Sequence, residues 1–275
     1  MKLYTLIVLY NPTSIFLDHF AGYFSFSDKV LFIDNSDKIN IKDQLLSLYP
    51  QAVYISLSGN QGIAKALKTG MDYSIKDKAD YVLTMDQDTV FPFNRINEIK
   101  DIISSHSEYG LLGLNFNSSE TSLEIQNVPW WLTSGNFINV SNYASLKKGF
   151  NEDLFIDSVD ADLCHSFYSQ GYKIGYIKGI SITQTMGKPK VYKFGFISFT
   201  ALNYSPIRYY YMFRNNYYLY HQDKKFYRKT YQRLMWFTKP KILFFEDNKK
   251  ANRKAIRLGI KDAKKGILGK CPHSL

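Results

Sequence analysis

Residues 81–88 read YVLTMDQD, an apolar run broken only by Thr84 and closed by two carboxylates, Asp86 and Asp88, with Gln87 between them. A short run of this kind suits a buried strand, and residues at i and i+2 of a strand share one face. At a strand end such a pair can hold a hard divalent cation through oxygen ligands, leaving the rest of the shell to water and phosphate. That suits Mg²⁺ or Mn²⁺ carrying a diphosphate. An acidic pair also suits a solvated turn or helix cap, so the surrounding pattern has to decide.

Upstream, the pattern alternates. LYTLIVLY (3–10) reads as a strand stopped by Asn11-Pro12, and residues 13–26 as a helix. VLFI (30–33) is a second strand closed by Asp34-Asn35-Ser36, followed by a weaker helix over 39–48. VYISL (53–57) is a third, and the turn SGNQG (58–62) leads into a helix over 63–75 that returns to YVLTM (81–85). This β-α-β-α-β-α-β order predicts an α/β protein with a parallel sheet, helices on both faces and right-handed crossovers. Asp34, the turn Asn60 to Gly62, and Asp86 with Asp88 all fall just beyond strand C-termini, the edge where open α/β sheets bind ligands. That shared position favours the cation reading of the acidic pair.

Beyond residue 90 the alternation stops. The pattern predicts a helix over 93–105, strands over 111–116 and 133–140, a helix over 159–170 and a strand over 173–177, then helices from Pro206 and over 249–266. This half reads as an acceptor-side elaboration. Its second acidic cluster is LFIDSVDADLCHSF (154–167). Asp160 and Asp162 fall in the first turn of a helix starting at Val159, where carboxylates cap free amides. One of Asp157, Asp160 and Asp162 could equally be a general base whose pKa is lifted by burial and neighbouring acids. Trp130 and Trp131 precede the turn Ser134-Gly135, where they either stack on an acceptor sugar or fill the core. Tyr209 to Tyr211 and Tyr217 to Tyr220 suit helix packing or an interfacial belt. His165 and Cys164 read as packing or surface residues.

The net charge of +11 is localised. Residues 1–220 hold 19 Lys and Arg against 20 Asp and Glu, whereas residues 221–275 hold 16 against four. A nucleic-acid enzyme spreads positive charge around its cleft. A neutral body with a cationic, aromatic-containing tail instead suits an anionic membrane surface, although codon bias alone would also enrich Lys, Tyr and Phe. No apolar run approaches the ~18 residues of a spanning helix, and no basic-then-apolar leader is seen. Cys164 and Cys271 are too far apart and too few for a disulfide framework or a zinc site. The expectation is a cytoplasmic protein, peripheral at the inner face of the plasma membrane, with no nucleic-acid partner.

The segments LIVLYNP (6–12), FIDNS (32–36), NQGIAKALKTG (60–70), YVLTMDQDTVF (81–91), WLTSGNFI (131–138), FNEDLFIDSVDADLCHSFYSQGYKI (150–174) and RYYYMFRNN (208–216) resemble, in order, the motifs of family 2 glycosyltransferases. The bacterial rhamnosyltransferase-like subgroup is the nearest pattern, over about residues 3–220. The resemblance implies a GT-A fold, Rossmann-like and mostly parallel, with a basic helical C-terminal tail. The catalytic domain would be 1–220, with a nucleotide-sugar half over 1–90 and an acceptor half over 91–220, and the extension would be 221–275.

On the same resemblance Tyr10, Asn11 and Asp34 line a base and ribose pocket, and Asn60 and Gly62 form the turn beside the nucleotide. Asp86 lies near ribose and metal, and Asp88 is a metal ligand. Ser134 and Gly135 sit beside the transferred sugar and acceptor. Asp160 aligns with the family's base, but Val159 replaces the usual Glu; Asp157 could supply that charge, and the base stays open between Asp160 and Asp162. Gln184-Thr185-Met186-Gly187 replaces a His-x-x-Gly stretch. Either the Gln184 carbonyl holds the cation, or the diphosphate relies on Lys188, Lys190 and Arg214.

The implied reaction is inverting transfer of a sugar, with dTDP-L-rhamnose the suspected donor, to a hydroxyl of a growing, lipid-linked cell-surface polysaccharide. Two alternatives remain at this stage. One is a sugar-phosphate nucleotidyltransferase, although Asn11-Pro12-Thr13-Ser14 lacks the Gly and Lys of a triphosphate loop. The other is a non-catalytic basic protein that binds membrane or nucleic acid.

Overall fold

β1 (Leu3–Leu9) has all seven residues buried, which explains a run whose only polar member is Thr5. That hydroxyl is bonded to Ser27 Oγ at 2.6 Å. β2 (Lys29–Asp34), β3 (Val53–Ser56) and β4 (Tyr81–Asp86) join it in the order β3-β2-β1-β4, all parallel. The expected strand series is therefore present, with its C-terminal ends on one edge. Each Leu or Ile buried here contributes about 1.5–3 kcal/mol, more than any exposed ion pair.

The computed structural model describes residues 1–275 except 39–40, 185–186, 188 and 195–196, together with the side chains of 15, 16, 194 and 197. Alternate residues of β1 face opposite layers. Leu3, Ile7 and Leu9 pack with Leu17, Phe20 and Tyr23, with Leu45 of α1 (Lys42–Leu48) and with Ile99 and Ile103 of α3 (Ile96–Ser105). On the other face α2 (Ile63–Lys76) brings Gly70 against Leu6 and Ile33. The segment Ser14–Ser25 is a 3-10 helix, not the expected α-helix. Its buried Leu17, Phe20 and Tyr23 recur every third residue, which matches three residues per turn.

The sheet continues from β4 through β7 (Asn136–Asn139), antiparallel, to β5 (Tyr109–Phe116), then β8 (Lys173–Ile182), parallel to β5, and β6 (Ile125–Asn127) at the edge. A short α4 (Val140–Ala144) follows β7, and α5 (Val159–Ser169) packs on β8.

The chain divides into two units, Met1–Glu152 with Val159–Gln184, and Asp153–Ser158 with Thr185–Leu275. The boundary expected near residue 220 lies inside the second unit, because α6 (Pro206–Gln222) packs along α9 (Lys249–Lys264). Tyr209 and Phe213 of α6 share a core with Leu234, Ile242 and Ile256. Tyr209 to Tyr211 are thus packing residues, and Tyr220 stacks on Tyr231 at 4.3 Å. The unit also holds α7 (Lys224–Arg233), a π-helical turn Leu234–Thr238, α8 (Lys239–Phe245) and the hairpin of β9 (Lys190–Phe194) and β10 (Ile197–Ala201). Among the described residues no helix is long and apolar enough to cross a membrane.

Candidate active site

The loops after the four parallel strands are laced together at their C-terminal rim. Gln87, between the two acids, accepts from Tyr10 N at 2.8 Å and donates to Tyr10 O at 3.2 Å, clamping the end of β1 to the end of β4. Asn11 N donates to Ser36 Oγ at 2.7 Å. Asn35 Oδ1 accepts from Gln61 N at 2.7 Å, and its amide donates to Asn60 Oδ1 at 3.3 Å. Asn60 Oδ1 also accepts from Gly62 N at 3.0 Å, and Gly62 holds a φ of 90° that a side chain would resist. The Tyr10 hydroxyl donates to Asp37 at 3.0 Å; partial burial first, then that carboxylate, raises its pKa.

Asp34 is buried, with one oxygen accepting from Ser36 N at 2.9 Å and the other from the Tyr54 hydroxyl. Its carboxylate shapes the rim. Gln87, Asn35, Ser36 and Tyr54 were not singled out by the sequence reading. Gln87 and Asn35 each adjoin an acid that was, and Ser36 lies two residues beyond Asp34; that proximity was the available signal.

Asp86 and Asp88 converge on a single group. Gln184 Nε2 donates to Asp86 Oδ2 at 2.9 Å and lies 3.3 Å from Asp88 Oδ1. Two contacts bring this distant residue to the strand end. Val90 and Thr183 exchange backbone hydrogen bonds of 2.9 and 3.1 Å. Asn117 grips the Gln184 backbone from both sides, donating to its carbonyl at 3.1 Å and accepting from its N–H at 3.4 Å.

Gln184 thus presents its NH₂ to the acids, the reverse of the carbonyl expected to hold a cation. Two acceptors can be satisfied only by a donor. Two carboxylate oxygens within hydrogen-bond reach of one point, with an amide able to turn its carbonyl inward, form an oxygen donor set suited to Mg²⁺ or Mn²⁺ completed by water and diphosphate. Among the described residues no cluster of three His, Cys, Asp or Glu gathers at metal-binding distance. Thr185, Met186 and Lys188 lie outside the described residues.

Ser134 braces this turn. Its Oγ accepts from Asp86 N at 3.1 Å and lies 3.0 Å from Thr89 Oγ1. Gly135 follows at φ 75°, where a Cβ would come within 2.7 Å of Ile182 Cδ1. Trp131 stacks on Tyr176 with centroids 3.9 Å apart and planes at 7°, and its Nε1 donates to Leu114 O at 2.9 Å. Its ring is therefore committed to packing. Trp130 is half-buried.

Cys164 of α5 is wholly buried against the Trp131 carbonyl, and burial pushes its thiol up to about 12 with a further contribution from Asp160. Asp160 is half-buried in the first turn of α5 and accepts from Ala161 N at 2.8 Å, while Asp162 is only 7% exposed. A chain of contacts thus runs from Asp86 through the Ser134 turn and Trp131 to the helix carrying Asp160.

In the second unit Asp157 is bound by Arg208 Nε through both oxygens, at 3.1 and 3.2 Å. Burial raises its pKa and Arg208 opposes that rise. Arg214 is 0% exposed. Its guanidinium donates to the carbonyls of Gly269, Asp153 and Leu154 and to Asn215 Oδ1. Arg214 therefore does not meet the expectation of a diphosphate ligand, because its buried guanidinium is engaged by backbone carbonyls and the Asn215 side chain. Lys190 stands exposed on β9 over the Tyr192 ring.

The mostly parallel sheet, with two convergent carboxylates at its C-terminal rim, has the GT-A fold. The structure is similar to Staphylococcus aureus TarS 1–349 in complex with UDP-GlcNAc, at a TM-score of 0.61 and 13% identity, covering 97% of this chain and 82% of that one. It is also similar to GalNAc-T7 with UDP, GalNAc and Mn²⁺, at 0.60 and 13%, covering 97% and 56%. The sequence model of Glycosyl transferase family 2 matches residues 17–167, more than half of the chain. The chain belongs to this family and is a glycosyltransferase. It is 23% identical over 239 residues to the dTDP-rhamnosyl transferase RfbF of Shigella flexneri, 78% of either chain. Of the readings open to the sequence, the family match selects glycosyl transfer.

Proposed function

We propose that this glycosyltransferase moves L-rhamnose from dTDP-L-rhamnose to a hydroxyl of a growing, lipid-linked cell-surface polysaccharide, at the inner face of the plasma membrane and with inversion at the anomeric carbon. The observation that carries the chemistry is the convergence of Asp86 and Asp88 at the end of β4. The donor is supported by the similarity to a dTDP-rhamnosyl transferase across most of both chains.

In this reading Asp160 takes the proton from the acceptor hydroxyl, whose oxygen forms the new bond to the anomeric carbon as the bond to the diphosphate oxygen breaks. The nucleoside diphosphate leaves with the electron pair, and attack opposite to it inverts the centre. Asp160 is preferred to Asp162 because it is the more accessible of the two. A divalent cation held by Asp86, Asp88 and the Gln184 carbonyl would offset the charge that develops on the diphosphate. Gln87, Asn11, Asn35 and Asn60 hold the rim where the nucleotide would lie, and Ser134 fixes the backbone of Asp86.

Thermal melts with dTDP, UDP and GDP, with and without Mn²⁺, test the donor. A ligand at a hundredfold excess over its Kd stabilises the fold by about 2.7 kcal/mol. We expect dTDP to give the largest Mn²⁺-dependent rise, and dTDP-L-rhamnose to be consumed. Preference for UDP, with UDP-GlcNAc consumed instead, would overturn the rhamnose assignment.

A further inference from the structure

Three large apolar side chains stand out in solvent on one helical run. Trp236 and Phe237 are each 75% exposed and Phe244 is 66% exposed. The run is continuous through α7, the π turn and α8. Trp236 and Phe237 are neighbours in the π turn and Phe244 follows in α8, so all three exposed rings project from this one run.

Beside it lies a cationic surface. Arg253, Arg257, Lys261 and Lys264 follow one another at spacings of four, four and three along α9, all exposed, while Ala255, Ile256, Gly259 and Ala263 face inward. Lys239 and Leu243 of α8 line a groove of about 480 Å³ with this stripe, over a floor of Ile256 and Ile260. A second groove of about 780 Å³ continues past Arg253 and Arg257 to Lys249, Lys250 and Lys254.

Two of the four acids of this region are turned away from its surface. Asp262 is buried, accepting from the Tyr210 hydroxyl at 2.7 Å and lying 2.7 Å from His273 Nε2. Glu246 is buried against the Tyr209 hydroxyl and Leu202 N. Asp223 caps α7 through Phe226 N at 3.0 Å. Of the four acids in residues 221–275, only Asp247 is left fully exposed. The exposed charged side chains of this region are therefore almost all Lys and Arg.

We infer that this face docks on an anionic lipid bilayer, with Trp236, Phe237 and Phe244 inserting below the headgroups and the α9 stripe lying on lipid phosphates. An interfacial helix couples these two features, apolar insertion and cationic attraction. Each Lys or Arg near such a surface strengthens partitioning ~5-fold, and Trp is suited to the headgroup level. The inference deepens the membrane location in the proposed function and does not depend on the transfer chemistry.

The test is sedimentation of the full chain with phosphatidylglycerol-containing vesicles and with pure phosphatidylcholine vesicles, at low and high salt. We expect binding to the anionic vesicles only, weakened by salt. Trp236→Ser/Phe237→Ser/Phe244→Ser and Arg253→Glu/Arg257→Glu/Lys261→Glu should each lower binding ~10²-fold with melting temperature and donor hydrolysis unchanged. Trp236 emission should shift to the blue on vesicles, as a Trp236→Phe subtraction would show. Absence of anionic-vesicle binding, undiminished binding by the triple Ser variant, self-association that buries these aromatics, or displacement from vesicles by an oligonucleotide each overturns the proposal.

Discussion

Gln184 Nε2 donates to Asp86 Oδ2 at 2.9 Å across 98 positions of sequence. The bond places an uncharged donor where two carboxylates meet and relieves their repulsion. It also ties the end of β4 to the residue that follows the Thr183–Val90 bridge.

Replacing that donor by a third acidic acceptor should tighten the site's hold on a cation and make its stability more dependent on one. Gln184→Glu should melt lower than the parent in chelator, because three carboxylates would face one another, and should gain more from Mn²⁺, with its Kd tightened ~10-fold. Asp88→Ala should lose the Mn²⁺ shift and depress turnover by ~10²-fold or more. Melting curves with and without Mn²⁺ check this; equal shifts in Gln184→Glu and parent would sink the assignment.

The two candidate bases differ in exposure. Asp160→Asn should lower kcat by ~10²-fold or more with little change in donor KM, and should abolish the acidic limb of the kcat against pH profile. Asp162→Asn should keep that limb. The result to look for is which variant loses it, and loss in Asp162→Asn alone would transfer the role.

Asn215 and Arg214 hold a strained segment. Phe155, Asp157 and Ser158 take φ of 64°, 64° and 62°, a conformation that non-glycine residues keep only when their surroundings enforce it. Asn215 Nδ2 bonds the carbonyls of Leu154, Ile156 and Asp157 at 2.8–2.9 Å. Asn215→Ala should cost about 1–3 kcal/mol in urea unfolding. Arg214→Met should likewise lower the unfolding midpoint. A stable Arg214→Met protein whose only defect is weak nucleotide binding would restore the diphosphate role.

At the opposite edge of the sheet Lys29, then the Tyr4 hydroxyl, hold the Asp77 carboxyl at about 2, below its ordinary 3.8. A depressed carboxylate contributes stability that is fully present above the unfolded value and is lost as pH falls from there through about 2. Asp77→Asn should therefore flatten stability against pH across that window and leave it unaltered in shape near neutrality. Acid titrations of both proteins, followed by circular dichroism, compare the slopes.

How far the chain could be read depended on how local each feature was. Strands β1 to β4 and the polar groups ending them were legible because an apolar run and its terminator adjoin in sequence. The 3-10 segment was not, since its three-residue period differs little from a helical one over 12 residues. Arg214 misled because a guanidinium near aromatic residues looks alike in sequence whether it meets phosphate or backbone carbonyls.

The sequence by itself therefore determined the parallel βα series, the family, the acids at the end of β4 and the basic character of the tail, all carried by neighbouring residues. Only the tertiary structure decided that Gln184 turns its NH₂ to Asp86 and Asp88 and that Trp131 is spent on Tyr176. It also decided that Glu246 and Asp262 of the tail turn inward while Trp236, Phe237 and Phe244 turn out. Polar contacts between remote residues leave no periodic trace, because each depends on the directions in which folding happens to aim two side chains.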